Sequence, residues 1–236
     1  MNTPQLACIG PHRLWLGDAY EIRPGLGFFD ADVMDPPYLF DASGGGAFRK
    51  ARGASDQIVE EGLDRGFDRS IIHPLLCGAV VVFCHNDQLP ELLPYLHGSF
   101  HRFALSVWIK PNPSPMRNRH YLADTEPFTH AWNRGHAPEG DHHDMHRWVT
   151  CGSMASKVFG HPTVKPAGVM DKILRNVAGR TVCDPFMGTG STGVAAIRAG
   201  KTFTGIEHNP QHFATAVQRI TDAWAQAQQE GALPHE

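Results

Sequence analysis

The chain predicts an α/β fold, a mostly parallel sheet with helices on both faces. Short apolar runs alternate with helix-like segments along its length. One run, Ala79 to Cys84, is apolar without a break, the mark of a strand buried on both faces. A glycine-rich turn, Gly188, Gly190 and Gly193, follows one apolar run and opens a helix-like segment.

The elements follow in order. Arg13 to Leu16 reads as a strand leading into Gly17-Asp18. Asp30 to Met34 is a short strand halted by Asp35-Pro36-Pro37-Tyr38, because a double proline cannot continue a central strand. Asp41 to Ala54, with Gly44-Gly45-Gly46, has a loop's composition, and Asp56 to Leu76 a helix's. After the buried strand come a short helix from Gln88 to Leu96, a strand from Phe103 to Ile109, a loop from Pro111 to Arg119 and a strand from Glu126 to Trp132. Asn133 to Gly160 is polar, His-rich and aperiodic, and reads as an insertion or long loop. The last third reads as a helix from Ala167 to Val177, a strand from Thr181 to Cys183, a helix from Ser191 to Ala199, a strand from Phe203 to Ile206 and a helix from Pro210 to Gln229.

A length of 236 residues suits one domain, here taken as 1–236, with loops at 41–55 and 111–160. Hydrophobic content of 42% and charged content of 19% are those of a globular protein. No apolar run is long enough to span a bilayer, and Met1 to Gly10 lacks the pattern of a signal peptide, so a cytoplasmic location is expected. The five cysteines show no C-x-x-C spacing and are expected to be buried free thiols, with no metal. His136, His142, His143 and His146 near Asp141 and Asp144 read as a solvated loop rather than a metal site.

Gly188, Gly190 and Gly193 have G-x-G-x-x-G spacing within Asp184-Pro185-Phe186-Met187-Gly188-Thr189-Gly190-Ser191-Thr192-Gly193. Glycines permit a tight turn and a close ligand approach. Glu207, ending the next strand, sits where a carboxylate accepts from both ribose hydroxyls in dinucleotide sites. Alone, this pattern suits a nicotinamide dinucleotide at least as well as any other ligand. Asp184 shifts the reading: an anion facing the turn repels a pyrophosphate but suits the ammonium of a methionine moiety. Phe186 reads equally as core or as pocket wall.

Asp35-Pro36-Pro37-Tyr38 sits at the C-terminal end of a predicted strand, the edge where open α/β sheets bind ligands. Its residue types suit attack by an exocyclic amino group, whose lone pair is delocalised into the base ring. Two acceptors on the N–H groups, the Asp35 carboxylate and the Pro36 carbonyl, favour a pyramidal nitrogen with a localised lone pair. Pro36 and Pro37 lock φ and fix the carbonyl direction. Tyr38 offers a face for a flipped base, worth roughly 1–3 kcal/mol.

These residues resemble the DNA amino-methyltransferases that carry a DPPY box, in the permuted order called the β class, where the catalytic box precedes the cofactor box. His161-Pro162-Thr163-Val164-Lys165-Pro166 is similar to that family's H-P-T-x-K-P segment, and Trp108 to Pro113 to its region after the sixth strand. The resemblance spans Leu14 to about Arg219, without Asn133 to Gly160. It implies a Rossmann-like sheet and S-adenosylmethionine as cofactor. Asp35, Pro36, Pro37 and Tyr38 are then catalytic. Asp18, Thr163, Lys165, Asp184, Phe186, Gly188, Thr189, Gly190, Ser191 and Glu207 hold the cofactor, with Asp18 at its adenine, Glu207 at its ribose, and Thr163 and Lys165 near the methionine carboxylate. The chain leaves little room for a separate target-recognition domain.

The net charge of −3 argues mildly against a large, non-specific nucleic-acid surface. From His101 to His120 the charged residues are Arg102, Lys110, Arg117 and Arg119, with no acid among them, and Arg49, Lys50 and Arg52 form a second basic cluster. Each alone reads as a solvated face; with the DPPY box they become the expected DNA contacts. Asp rather than Ser at the head of the box associates with adenine N6 within the family, with cytosine N4 as runner-up. An NAD-dependent oxidoreductase and an inactive DNA-binding module are remoter readings. The recognised DNA sequence, a homodimer and a cognate restriction nuclease are left open.

Overall fold

The computed structural model describes residues 4–39, 66–113, 121–152 and 165–231. Among them nine strands form one sheet in the order β1-β2-β9-β8-β3-β4-β6-β5-β7. These are β1 Gln5–Ile9, β2 His12–Leu16, β3 Phe29–Met34, β4 Cys77–Phe83, β5 Arg102–Ile109, β6 Thr125–Trp132, β7 Trp148–Thr150, β8 Thr181–Asp184 and β9 Thr202–Glu207. All but β1 and β6 run the same way. The helices are α1 Ala19–Ile22, α2 Leu89–Ser99, α3 Ala167–Asn176, α4 Ser191–Arg198 and α5 Pro210–Gln229. None among the described residues is long and apolar enough to cross a membrane.

The continuous apolar run at β4 serves two cores. Ala79, Val81 and Phe83 face a cluster with α3, α4 and α5, whereas Cys77, Val80 and Val82 face one with α1 and α2. Side chains alternate along a strand, so a strand covered on both faces has no solvent-facing position. Helix α5 starts where the sequence places it: Asn209 accepts from the amides of Gln211 and His212, and Pro210 fills the first turn. Its Phe213, Ala216, Ile220 and Ala227 turn inward at helical spacing.

Several expectations are revised. The N-terminal strand β1 and the three-residue β7 were not expected; β7 is short and sits in the aperiodic His-rich stretch. The expected helix to Leu76 is, over its described part, only a 3₁₀ turn at Arg69–Ile71, where Pro74 ends any helical run. Cys77, Cys84 and Cys183 are buried free thiols as expected, but Cys8 is exposed. Asp41 to Arg52, Arg117, Arg119 and Thr163 lie outside the described residues.

One charged pair lies inside the α1 and α2 side. Asp32, in the middle of β3, is 1% exposed and meets the buried Arg23 at 3.0 Å. Arg23 also donates to the carbonyls of Gly27 and Leu76, tying three segments together. Burial raises the Asp32 carboxyl to about 6, against the opposing pull of Arg23. Removing one member of a buried pair strands the other's charge, so Asp32→Ala should cost about 3–5 kcal/mol. Urea unfolding checks this, and a loss below about 1 kcal/mol would mean that water reaches Arg23.

Candidate active site

Strand direction gathers the expected site side chains at one rim. β2, β9, β8 and β3 deliver Asp18, Glu207, Asp184 and Asp35 at or just past their C-terminal ends. β3 and β8 pair directly, although the chain leaves β3 toward β4 and β8 toward β9. That reversal opens a crevice between them, the point where such sheets bind ligands. β6 runs the opposite way, so its first residues, not its last, reach this rim; Phe83 pairs with Phe128 and brings Glu126 beside the ends of β3 and β4.

The glycine turn is held by carboxylates. Asp184 accepts the Phe186 amide at 2.9 Å and the Thr192 hydroxyl at 2.6 Å. Glu207 accepts the Gly188 amide at 2.9 Å and the Asn209 amide at 2.7 Å. Arg219 donates to the Thr189 carbonyl and hydroxyl, fixing the turn's apex. Gly188 and Gly190 adopt φ of +54° and +86°, a region other residues enter only with strain. A Cβ on Gly188 would meet nothing within 4 Å, leaving bare backbone toward open space. Ser191 begins α4 half-buried, and Phe186, also half-buried, packs edge-on to Tyr20 and Phe67. Asp18 is exposed and caps α1 through the Tyr20 amide.

Across the crevice, a lysine sits between two carboxylates. Lys165, 7% exposed, donates to Asp35 at 2.5 Å, to Glu126 at 2.8 Å and to the Tyr38 hydroxyl at 3.3 Å. Tyr38 donates to Glu126 at 2.7 Å. The ammonium also lies over the Phe83 ring, 4.8 Å from its centre. Lys110, expected on the DNA backbone, instead directs its ammonium to Glu126 at 2.6 Å and covers the Trp108 ring. Lys165, expected by resemblance near the methionine carboxylate, pairs with these two carboxylates. Pro36 is buried, and the Pro37 carbonyl accepts from Gln88 at 3.3 Å.

The electrostatics separate the two carboxyls. Burial opposes ionisation of Glu126, but Lys165 and Lys110 overcome it and hold the carboxyl at about 2. Burial pushes the Asp35 carboxyl up, with Lys165 opposing and Glu126 adding to the rise. Burial and the two carboxylates push the Tyr38 hydroxyl well above the ordinary phenol range. Lys165 stays cationic, because Asp35 and Glu126 outweigh its burial. Asp35 keeps 24% of its side chain exposed, so a polar group from outside can reach it. Glu126 was missed as a site residue. Its signal was a lone acid at the mouth of an apolar strand. Among the described residues no group of three or more His, Cys, Asp or Glu is placed to hold a metal.

Gly193 serves packing: a Cβ there would stand 2.6 Å from Ile220 Cδ1 and 2.7 Å from the Phe203 ring. Gly193→Ala should therefore destabilise the protein by about 1–3 kcal/mol, as overpacked cores do. Thermal unfolding checks this; an unchanged midpoint would show that α4 and α5 can part without cost.

Residues 80–218 match the model of a family described as DNA methylase, of the N6/N4 type. The type II methyltransferase M2.DpnII of Streptococcus pneumoniae is 30% identical over 133 residues, covering 48% of this chain and 49% of that protein. M2.MboI of Moraxella bovis is 28% identical over 126 residues, 46% of each. The chain thus spans about half the length of these relatives. Two solved structures share the fold. The M1.HpyAVI–SAM complex has a TM-score of 0.64 at 24% identity, covering 88% of this chain and 98% of that one. The PvuII cytosine-N4-specific DNA methyltransferase has a TM-score of 0.61 at 15% identity, covering 90% and 91%.

Proposed function

The chain belongs to the DNA methylase family of the N6/N4 type, and from that premise we propose that it transfers a methyl group from S-adenosylmethionine to the exocyclic N6 of adenine in DNA. The observation that carries the reading is the pair of half-sites facing each other across the β3–β8 crevice: a glycine cradle on one side, a reachable carboxylate on the other.

The cradle's residues fit the cofactor. The bare backbone at Gly188 admits a ligand. Glu207 stands at the next strand end, where it can take the ribose hydroxyls, and Asp18 one strand further, toward the adenine. Asp184 offers negative charge to the methionine ammonium, and Thr163 is the expected partner of its carboxylate. When bound, the cofactor supplies a methyl group already activated by its sulfonium. On the other side, Asp35 and the Pro36 carbonyl accept the amino N–H groups and localise the nitrogen lone pair. Tyr38, its hydroxyl anchored on Glu126, presents its ring to the flipped base. Transfer would form the N–C bond as the methyl–sulfur bond breaks, its electron pair staying on sulfur, and the nitrogen must then shed a proton. Asp35, raised by burial, is placed to take it.

The adenine assignment rests on Asp35: a carboxylate is a stronger acceptor than the Ser hydroxyl associated with cytosine enzymes. The likeness to a neighbour named cytosine-N4-specific keeps N4 as the second reading. The names of the matched relatives, type II methyltransferases, support a place in restriction–modification beside a nuclease, and with it a cytoplasmic location. The basic residues Arg49, Lys50, Arg52, Arg117 and Arg119 remain the proposed phosphate contacts.

The decisive experiment methylates mixed-sequence DNA, digests it and identifies the nucleoside by mass spectrometry. N6-methyladenine is expected, and Asp35→Ala should abolish it while cofactor affinity stays within a few-fold. N4-methylcytosine alone would overturn the base assignment; transfer undiminished in Asp35→Ala would overturn the site.

Asp184 supplies a pH test. Burial raises its carboxyl to about 7, with Asp35 and Glu207 adding to the rise. A cationic ligand beside it favours the ionised form, so binding should expel a proton and tighten as pH rises through about 7. Calorimetry in buffers of different ionisation enthalpy should detect release of about half a proton near neutrality, absent in Asp184→Asn. Affinity that is flat with pH would remove Asp184 from the ammonium site.

A further inference from the structure

The proposed reaction demands that the N–H of the target base reach Asp35. In the structure another N–H is there first: the Lys165 ammonium lies 2.5 Å from Asp35 Oδ2. It stands where the amino group of the base has to donate. A buried ammonium cannot simply let go, because an unpaired buried cation is costly. It needs a second anion within reach, and Glu126 Oε1 is 2.8 Å away. Glu126 is itself set by Lys110 on its other oxygen at 2.6 Å and by the Tyr38 hydroxyl at 2.7 Å. It is 9% exposed and sits at the start of a strand, so it moves little.

We infer that Glu126 is the positioning residue of this site: it receives the Lys165 ammonium as the base amino group takes over Asp35, and it keeps the Tyr38 ring in register for that base. The inference rests on the amino-methyltransferase reading. Two carboxylates and two ammoniums balance before the exchange, no cation is left unpaired during it, and Asp35 exchanges its ammonium for the neutral N–H donors of the base. The base trades places with Lys165 on Asp35, and Lys165 keeps the partner it already had. Tyr38 touches both halves of the exchange, since its hydroxyl donates to Glu126 and accepts from Lys165. Loss of Glu126 would leave Lys165 with Asp35 alone, competing with the substrate, and would release the Tyr38 hydroxyl.

The groups that face Asp35 set the sign of the test. They are Lys165 and Tyr38, Glu126 on β6 with Lys110 behind it after β5, Asp184 at the end of β8, and the Cys84 thiol after β4. Glu126→Gln removes a negative neighbour and gives Lys165 wholly to Asp35. Both changes lower the Asp35 carboxyl, so the acid limb of kcat should move to lower pH. Lys110→Gln removes a distant cation and leaves Glu126 freer to draw Lys165 away. The acid limb should then move to higher pH.

The experiment uses the full chain with S-adenosylmethionine and DNA, and follows kcat and KM across pH. Glu126→Gln should lose about a hundred-fold in kcat, as a misplaced catalytic group does, with cofactor KM within a few-fold and the acid limb displaced downward. Glu126→Asp should recover part of the rate, and Lys110→Gln should move the limb the other way. A wild-type pH profile in Glu126→Gln, or displacement in the same direction for both variants, overturns the inference. If the wild-type chain fails to methylate DNA, the functional reading falls, and carbon-13 carboxyl titration of Asp35 still reads the coupling. Glu126→Gln must lower that titration and Lys110→Gln raise it, or the exchange does not exist.

Discussion

An ammonium taken out of water must find anions, and in this protein the Lys165 ammonium finds two. Asp35 follows the central strand β3, and Glu126 opens the antiparallel strand β6. That shared cation ties elements that the chain itself separates widely. It draws the start of α3 onto the sheet rim, holds Tyr38 between the two carboxylates, and keeps Glu126 ionised at about 2 despite burial. The contrast between the two carboxyls follows from counting neighbours. Glu126 has two ammoniums, whereas Asp35 shares one of them and faces Glu126 as well.

The opposite side of the crevice uses carboxylates differently. Asp184 and Glu207 accept backbone amides of the glycine turn, and this shapes the surface of the turn. The turn is thereby rigid before any ligand arrives, with Gly188 bare, Gly193 packed and Arg219 clamping Thr189 between them. Pre-ordering of this kind lowers the entropy that binding must overcome. The two half-sites are built from distinct strands and distinct charges, yet they share one rim because β3 and β8 are neighbours.

Much of this was legible in the sequence, for identifiable reasons. A strand buried on both faces, β4, is filled by apolar residues and so reads as one apolar word. The start of α5 is written in Asn209 and Pro210, and the glycine turn in its spacing. The strand β7 was invisible because three residues carry no period. Glu126 was overlooked for a physical reason: ligand groups are sought at the C-terminal ends of parallel strands, and β6 reverses that rule. Lys110 looked like a surface cation because sequence shows charge but not its partner, and here the partner is buried. Asp32 likewise sits in a strand whose pattern gives no hint of Arg23 beneath it.

The pairing of β3 with β8 and of β2 with β9 also governs how the molecule comes into being. Ala31 meets Val182, and Arg13 meets Thr204, so these ladders close only when the last third of the chain exists. A growing polypeptide therefore displays one edge of β2 and one edge of β3 before the partners β9 and β8 exist, each offering open amides and carbonyls to any passing strand. Such long-range closure is slow compared with helix formation or hairpin pairing. The interval favours assistance by chaperones and penalises high synthesis rates. Premature termination anywhere before β8 leaves no crevice at all, so the β3–β8 rim is made late or not at all.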